Sequence, residues 1–313
     1  MDPEVSIIIP AYNEEEALPH LLERLARVLP QLPPAEVIVV DDGSRDRTPE
    51  ILKEWARHHP WLQAIILRRN FGQSAALTCG LDHARGKILV TLDADLQNDP
   101  EDIPKLLTKL KEGYDVVSGW RKERKDPLFS RRIPSRIANA LISRITGVRL
   151  HDYGCTLKAY RREVLQGLTI YGELHRFIPA LADLRGARIA EVPVRHHPRR
   201  FGKSKYGLSR TYRVLLDLLL VFFFQRFATR PLHFFGLPGG LLFLLGFLIE
   251  LHLSWIKFFH HQKIGHRPLL LLGVLLILTG IHLVCTGLLA ELIMRAYYEG
   301  SGHRIYTVRE IFP

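Results

Sequence analysis

The sequence predicts an α/β domain with a mostly parallel sheet, followed by interfacial helices and two transmembrane helices. Three observations carry that prediction. From Val5 to Val117, short β-rich apolar runs alternate with helical patterns, the spacing that gives parallel strands covered by helices. Leu208 to Phe227 is strongly apolar but broken by Arg210, Arg213, Asp217 and Arg226, the pattern of a helix lying in a membrane interface. Leu232 to Ile249 and Leu269 to Ala290 then hold no formally charged residue, and each is long enough as a helix to cross a hydrocarbon core of roughly 30 Å. Buried helices of a soluble core are the alternative, but both runs are apolar on every face.

Taken in order, Val5 to Pro10 reads as the first strand and Glu14 to Leu29 as the helix that follows it. Val37 to Val40 is the second strand and runs into Asp41-Asp42-Gly43-Ser44. Ser44 and Asp46 either face a ligand or cap the helix predicted from Pro49 to His58. Ala64 to Leu67 is the third strand, and Gly72 introduces a helix from Gln73 to Ala84. Ile88 to Leu92 is the fourth strand and ends in Asp93-Ala94-Asp95-Leu96-Gln97. Asn98-Asp99-Pro100 then places a proline in the first turn of a helix reaching Lys111, and Val116 to Val117 marks the fifth strand. No Gly-x-Gly-x-x-Gly follows the first strand and no Gly-Lys-Ser/Thr loop occurs, which removes the main support for a dinucleotide oxidoreductase or a P-loop ATPase.

Asp93 and Asp95 stand where ligands bind in open α/β sheets, at the C-terminal end of a strand. Alternate residues on an extended chain point the same way, so both carboxylates can face one ligand. Mg²⁺ or Mn²⁺ takes hard oxygen ligands and bridges one or two carboxylates to substrate phosphates. An isolated Asp-x-Asp is equally a solvated turn, so its surroundings decide.

The loops after the first, second and fourth strands, Pro10-Ala11-Tyr12-Asn13-Glu14-Glu15, Asp41-Asp42-Gly43-Ser44 and Asp93-Ala94-Asp95, together resemble those of the family 2 glycosyltransferases with the GT-A fold. The resemblance implies that Pro10, Tyr12, Glu14, Asp41, Asp42, Arg69, Asp93 and Gln97 bind a nucleotide-diphosphate sugar and that Asp93, Asp95 and Gln97 hold the Mg²⁺ or Mn²⁺. Glu15 and Glu16 read as solvated helix-face charges. Arg121, Arg131 and Ser135, the later Asp152-Tyr153-Gly154-Cys155, the segment Phe201-Gly202-Lys203-Ser204-Lys205-Tyr206 and the paired spans resemble the polyprenyl-phosphate branch of that family, which includes dolichol-phosphate mannose synthases and bactoprenol glucosyltransferases.

That likeness implies an inverting transfer of a sugar to polyprenyl (undecaprenyl or dolichyl) phosphate, with Asp93, Asp95 and Asp152 catalytic and Arg121, Arg131, Ser135, Lys203 and Lys205 on the acceptor phosphate. Arginine suits a lipid phosphate because its planar fork donates two parallel hydrogen bonds. Asp152 either orients a substrate or caps the turn after it, and Arg199 to Lys205 either clamps phosphate or lies on lipid. UDP-glucose is the expected donor, with GDP-mannose as the alternative and a catalytically silent lipid-binding subunit as the reading from another class. A Gln-x-x-Arg-Trp motif of polysaccharide synthases is absent.

The expected organisation is a catalytic domain over 1–206, an amphipathic region over 207–230, two spans over 231–295 and a cytosolic tail over 296–313, with a homo-oligomer left open. The net charge of +11 does not point to nucleic acid, because the basic runs adjoin the membrane segments and lack interleaved aromatics. Cys79, Cys155 and Cys285 have no metal-ligand spacing, which fits a reducing compartment. Met1 to Ser6 lacks a secretory n-region, and basic residues crowd the stretch from Arg195 to Arg230 before the first span. Both place the catalytic domain on the cytosolic face of a membrane, with the bacterial inner membrane as the expected one, although Lys257, Lys263 and Arg267 in the intervening loop pull the other way.

Overall fold

β1 (Val5–Ala11) is apolar on both faces, as a strand must be when helices cover both sides of its sheet. In the computed structural model of the chain, which describes residues 2–122, 139–140, 142–144, 146–166, 174–198, 231–260, 263–265, 267–300 and 306–312, β1 pairs in parallel with β2 (Ala35–Asp41) on one side and β4 (Ile88–Thr91) on the other. β3 (Leu62–Leu67) continues the parallel set beyond β2. On the far side of β4, β6 (Lys158–Arg161) runs antiparallel to both β4 and β5 (Val116–Trp120), and β7 (Ile189–Pro193) runs parallel to β5. With β8 (Val308–Phe312) the sheet order is β7-β5-β6-β4-β1-β2-β3-β8.

The covering helices α1 (Leu18–Val28), α2 (Thr48–His58), α3 (Gln73–His83) and α4 (Ile103–Lys111) fall where the pattern predicts them, with shifted starts. α1 begins four residues after Glu14, with Pro19 in its first turn, where a missing N–H costs nothing. It buries Leu18, Leu21, Leu22 and Leu25 against the same core as Val5, Ile7, Ile9, Val37 and Val39. Short helices α5 (Arg162–Leu165) and α6 (Ile178–Asp183) complete this part, α6 being entered through a 3₁₀ turn at Leu174–Phe177.

The chain moves outward from β1 to β2 to β3 and then crosses back to β4 on the other side of β1, so a topological switch point lies beside β1. The β1–β4 pairing ends at Ile8 and Thr91, with one further bond from the Leu92 N–H to the Ile8 carbonyl (3.1 Å), while β1 stays paired to β2 as far as Ala11 and Asp41. The last turn of β1 therefore borders an opening. Pro10 is tolerated inside a central strand because β4 no longer runs beside it there.

The chain divides into two compact units, Met1–Leu218 with Arg304–Pro313, and Leu219–His303. The second holds α7 (Pro231–Phe259) and α8 (Pro268–Gly300), both long and apolar enough to cross a membrane, with most of their leucines exposed. Glycines let these helices approach closely: a Cβ on Gly246 would lie 2.6 Å from the Gly273 carbonyl, and one on Gly280 2.6 Å from that of Gly239. α7 runs on past Ile249, so Glu250 lies inside the apolar helix; glutamate is a good helix former and does not stop it.

The segment 296–313 is not a tail. α8 occupies it to Gly300, and β8 then pairs antiparallel with β3, Ala64 opposite Phe312 and Ile66 opposite Glu310. Lys53 bridges to Glu310 at 2.9 Å and sits over the Phe312 ring, the Arg68 N–H donates to the Thr307 carbonyl, and the Tyr306 hydroxyl donates to Asp82 at 2.8 Å. An edge that would otherwise be open on β3 is thereby covered. The predicted amphipathic region, 207–230, lies outside the described residues.

Candidate active site

Asp41 is the last residue of β2 and is fully buried. Burial pushes its carboxyl above the usual range, against the pull of hydrogen bonds from Ser44. Both the Ser44 N–H and its hydroxyl donate to Asp41, and the same hydroxyl oxygen accepts from the Asn13 N–H at 2.8 Å. Ser44 thus joins the ends of β1 and β2 and does not cap α2. Asp46 accepts from the Thr48 N–H at 3.0 Å at the start of α2 and from the Glu15 N–H at 3.2 Å. Glu15 accepts in turn from the Arg47 N–H at 3.0 Å, so it braces two loops and is not merely a solvated charge.

Asp42 accepts from the Phe71 N–H (2.7 Å) and the Gly72 N–H (2.9 Å), and burial raises its pKa as it does that of Asp41. Each oxygen keeps a free lone pair, but its first task here is to pin the loop leading into α3. Gly43 makes this possible: its φ of +68° suits glycine, and a Cβ would run into the Arg69 backbone. Arg69 itself is exposed, with its guanidinium over the Phe71 ring (4.4 Å). Tyr12 and Glu14 lie half-buried in the loop after β1, the Glu14 N–H held by the Thr48 hydroxyl at 2.9 Å.

Beyond β4 the chain bends at Asp93 to Leu96, and Leu96 adopts φ +58°, a conformation costing an ordinary residue about 1 kcal/mol or more. Asp93, Asp95 and Gln97 are nonetheless half-buried on alternate positions, with Ala94, Leu96 and Asn98 buried between them. Asp93 accepts from the Gln73 amide at 2.8 Å and from the Thr156 hydroxyl, and Asp95 accepts from the Gln97 N–H at 3.1 Å. Burial, and after it the neighbouring Asp95 charge, drives the Asp93 carboxyl well above its ordinary range. Two desolvated carboxylates side by side favour a cation between them. Among the described residues no third Asp, Glu, His or Cys completes a protein-only cage, which suits an ion that takes its remaining ligands from substrate phosphates and water.

Asp152 is buried and receives a two-pronged bond from Arg121, Nε at 2.6 Å and Nη2 at 2.9 Å. Arg121 thus presents its fork to a protein carboxylate, and Asp152 is a buried ion-pair partner whose own N–H donates to Glu191 (3.1 Å). Beneath them Lys158 is almost fully buried, donates to the Tyr153 carbonyl at 3.1 Å, and has its pKa lowered by burial to about 8. Sequence reasoning missed Lys158, His175 and Arg176. The charge of Arg176 acts on both Asp93 and Lys158, and His175 bonds Ser74 at 2.8 Å. The one sequence signal of His175 and Arg176 is a basic pair opening an apolar run at a proline-started helix, which marks no motif.

The structure therefore gathers Pro10 and Asp41 in the last turns of β1 and β2, and Tyr12, Glu14, Asp42, Asp93, Asp95 and Gln97 on the loops that follow β1, β2 and β4. Arg131, Ser135, Lys203 and Lys205 lie outside the described residues.

Comparison with known proteins agrees with this geometry. Residues 6–169 match the profile of Glycosyl transferase family 2. The chain is 48% identical, over 99% of its length and 93% of the relative's, to dodecaprenyl-phosphate galacturonate synthase of Rhizobium johnstonii. It is 42% identical, over 94% of its length and 86% of the relative's, to undecaprenyl-phosphate 4-deoxy-4-formamido-L-arabinose transferase of Pseudomonas aeruginosa. Among solved structures, glucosyl-3-phosphoglycerate synthase of Mycobacterium tuberculosis with Mn²⁺ and UDP-glucose superposes with a TM-score of 0.54 at 21% identity, covering 70% of this chain and 79% of that one. That likeness establishes the shared GT-A fold.

Proposed function

The chain belongs to glycosyl transferase family 2, and from that premise we propose that it transfers a sugar from a nucleotide-diphosphate sugar to a polyprenyl phosphate at a membrane surface. The observation that carries the reading is the Asp93–Asp95 pair at the switch point, beside the buried Asp41 and Asp42 and in one chain with two membrane-length helices. Similarity to two polyprenyl-phosphate transferases over nearly the whole chain supports the acceptor.

Asp93 and Asp95 would hold a divalent cation, whose chemistry is to neutralise negative charge on the diphosphate as the glycosidic bond breaks. Gln73 fixes the rotamer of Asp93, and the bend at Leu96 turns Asp95 alongside it. Asp41 and Asp42 hold the loops on which the base and ribose would rest. The acceptor phosphate has a second pKa near 6 and is already ionised at neutral pH, so no strong general base is needed. Arg131, Ser135, Lys203 and Lys205 remain our assignment for binding it. A single in-line displacement inverts the anomeric centre.

For the donor, relatives named for galacturonate and for a formamido-arabinose move the reading away from UDP-glucose toward acidic or modified sugars, and galacturonate is our first choice because that relative is 48% identical. The catalytic domain belongs on the cytosolic face of the inner membrane, where nucleotide sugars are made. Purified protein should release nucleoside diphosphate only when polyprenyl phosphate is supplied with the donor and Mn²⁺ or Mg²⁺. Release at the same rate without lipid would overturn the acceptor assignment.

A further inference from the structure

The loop that carries Asp93, Asp95 and Gln97 is gripped from outside by the chain that follows β7. His196 pairs with Asn98 in an antiparallel bridge. The His197 N–H donates to the Gln97 carbonyl at 2.9 Å, and the His197 ring donates from Nε2 to Asp99 at 3.1 Å. Arg195 meets the same loop a little further on. Its N–H donates to Asp102 at 2.6 Å, its Nε to Asp102 at 3.3 Å and its Nη1 to Glu101 at 3.1 Å, with Asp99 at 3.4 Å. Asp99 and Asp102 are both buried. The short segment Arg195 to His197 thus clamps the stretch from Gln97 to Asp102.

The bend beside this clamp is one that needs holding. Leu96 stands between Asp95 and Gln97 at φ +58°, a left-handed conformation that leucine keeps only where its surroundings over-determine it. Within the bend the Asp95 carboxylate accepts from the Gln97 N–H at 3.1 Å, so the place of Gln97 decides where Asp95 points. The carbonyl of the same Gln97 is the acceptor for His197. Leu96 is anchored in the hydrophobic core on one side of the bend, and the clamp fixes the other. Its side-chain bonds end on two buried carboxylates and belong to the stronger, charge-assisted class. Asp102 also takes Lys105 at 2.6 Å, but Lys105 comes from α4, next to Asp102 in the chain, and adds no tie across the fold.

We propose that Arg195 and His197 are positioning residues for the cation site, holding the strained bend that turns Asp95 alongside Asp93. The assignment rests on the reading of Asp93 and Asp95 as the cation-binding pair. Both residues act through the main chain between Asp95 and Asp102 and not as ligands. Partners outside the ligand shell are commonly worth about ten- to a hundredfold in metal affinity, and action through the backbone puts these two at the low end.

The test titrates the full-length protein in detergent with Mn²⁺ alone and follows the free ion by electron paramagnetic resonance, well below the melting temperature of every variant. His197→Ala and Arg195→Gln should each weaken Mn²⁺ by about tenfold. His197→Gln, which keeps a donor within reach of Asp99, should stay close to wild type. Lys105→Met, which takes a partner from Asp102 without touching the clamp, should leave Mn²⁺ affinity unchanged. In turnover at saturating donor and lipid, the Mn²⁺ requirement of His197→Ala and Arg195→Gln should rise by the same factor while kcat at saturating Mn²⁺ holds. Unchanged Mn²⁺ affinity in both variants, a loss in Lys105→Met equal to theirs, or a loss in His197→Gln equal to that in His197→Ala would overturn the proposal. Failure of the underlying reading looks different: the wild-type protein itself would bind no Mn²⁺ and would turn over in excess chelator, and the proposal would fall with it.

Discussion

The two ends of the central strands carry similar residues to opposite effect. At the N-terminal end of β1 and β2, Glu36 is buried and accepts from the Ser6 hydroxyl (2.6 Å), the Arg85 N–H (2.7 Å) and the Arg85 side chain (2.9 Å). The Ser6 hydroxyl oxygen also accepts from the Gly86 N–H. Burial pushes the Glu36 carboxyl up, but these donors outweigh it and hold the pKa below its ordinary value. At the C-terminal end, Asp41 and Asp42 are buried and Asp93 half-buried with fewer or weaker compensations, and all three pKa values are raised. One end spends its carboxylate on stability; the other keeps carboxylates crowded for a ligand to relieve.

The largest expected break comes from Asp95→Asn. Turnover should fall by about a hundred- to a thousandfold, while the melting temperature stays level or rises because repulsion with Asp93 is gone. Glu36→Gln should do the reverse, with transfer per folded molecule intact. A large loss of melting temperature in the first variant, or of turnover in the second, would break the comparison.

Gly43→Ala sits between the two behaviours. It forces a side chain into a left-handed conformation against the Arg69 backbone, so stability should drop by about 2 kcal/mol. Nucleotide-sugar affinity should weaken with it, because the Asp42-pinned loop moves. Denaturant melts and donor titrations would read the two effects separately.

Glu36→Gln should cost about 1–2 kcal/mol, the value of one lost charge-assisted network discounted for the exposure of Arg85. Its pH signature is distinctive. With its folded pKa depressed, the stabilisation from Glu36 is present above the unfolded carboxylate pKa and is lost as the pH falls through the folded one. Asp41, Asp42 and Asp93 have the opposite sign. Their raised folded values make the protein most favoured below the unfolded pKa and cost stability as the pH rises from the ordinary carboxylate range through their folded values. Without divalent cation, Asp93→Asn should flatten that upper decline and Glu36→Gln should flatten the acid one, as read from melting temperature against pH. The smallest effect is that of Tyr306→Phe, which removes one hydrogen bond to Asp82 and should cost about 1 kcal/mol with no change in turnover.

How much of this was legible in the sequence follows the same division. β1 to β5 announce themselves because strands buried on both faces read as unbroken apolar runs, and the Asp93–Asp95 pair is visible because it interrupts one. β6 is hidden by Lys158 and Arg161 at its ends, a pattern that reads as surface until Lys158 is seen turned to the Tyr153 carbonyl. β8 carries Arg309 and Glu310 at its middle and reads as a polar tail until its partner on β3 is known. The likeness to the polyprenyl-phosphate branch implies a phosphate role for Arg121, and nothing local in the sequence reveals that Asp152 meets it across 31 positions of chain. His175 and Arg176 show only a basic pair before a proline-started helix, and it is the His175–Ser74 contact across the fold that ties their turn to α3.

The pairing of β8 with β3 also sets a timetable. β3 ends at Leu67 and its partner strand begins at Val308, after both apolar helices, so the ribosome finishes one edge long before it supplies the other. At ~5–20 residues per second the wait is roughly ten seconds to a minute. During that interval the nascent sheet shows an unpaired edge, the kind of surface that chaperones hold and proteases test. The sheet can close only once both helices have left the ribosome, which makes closure of the last strand a natural checkpoint on whether the helices behind it were inserted.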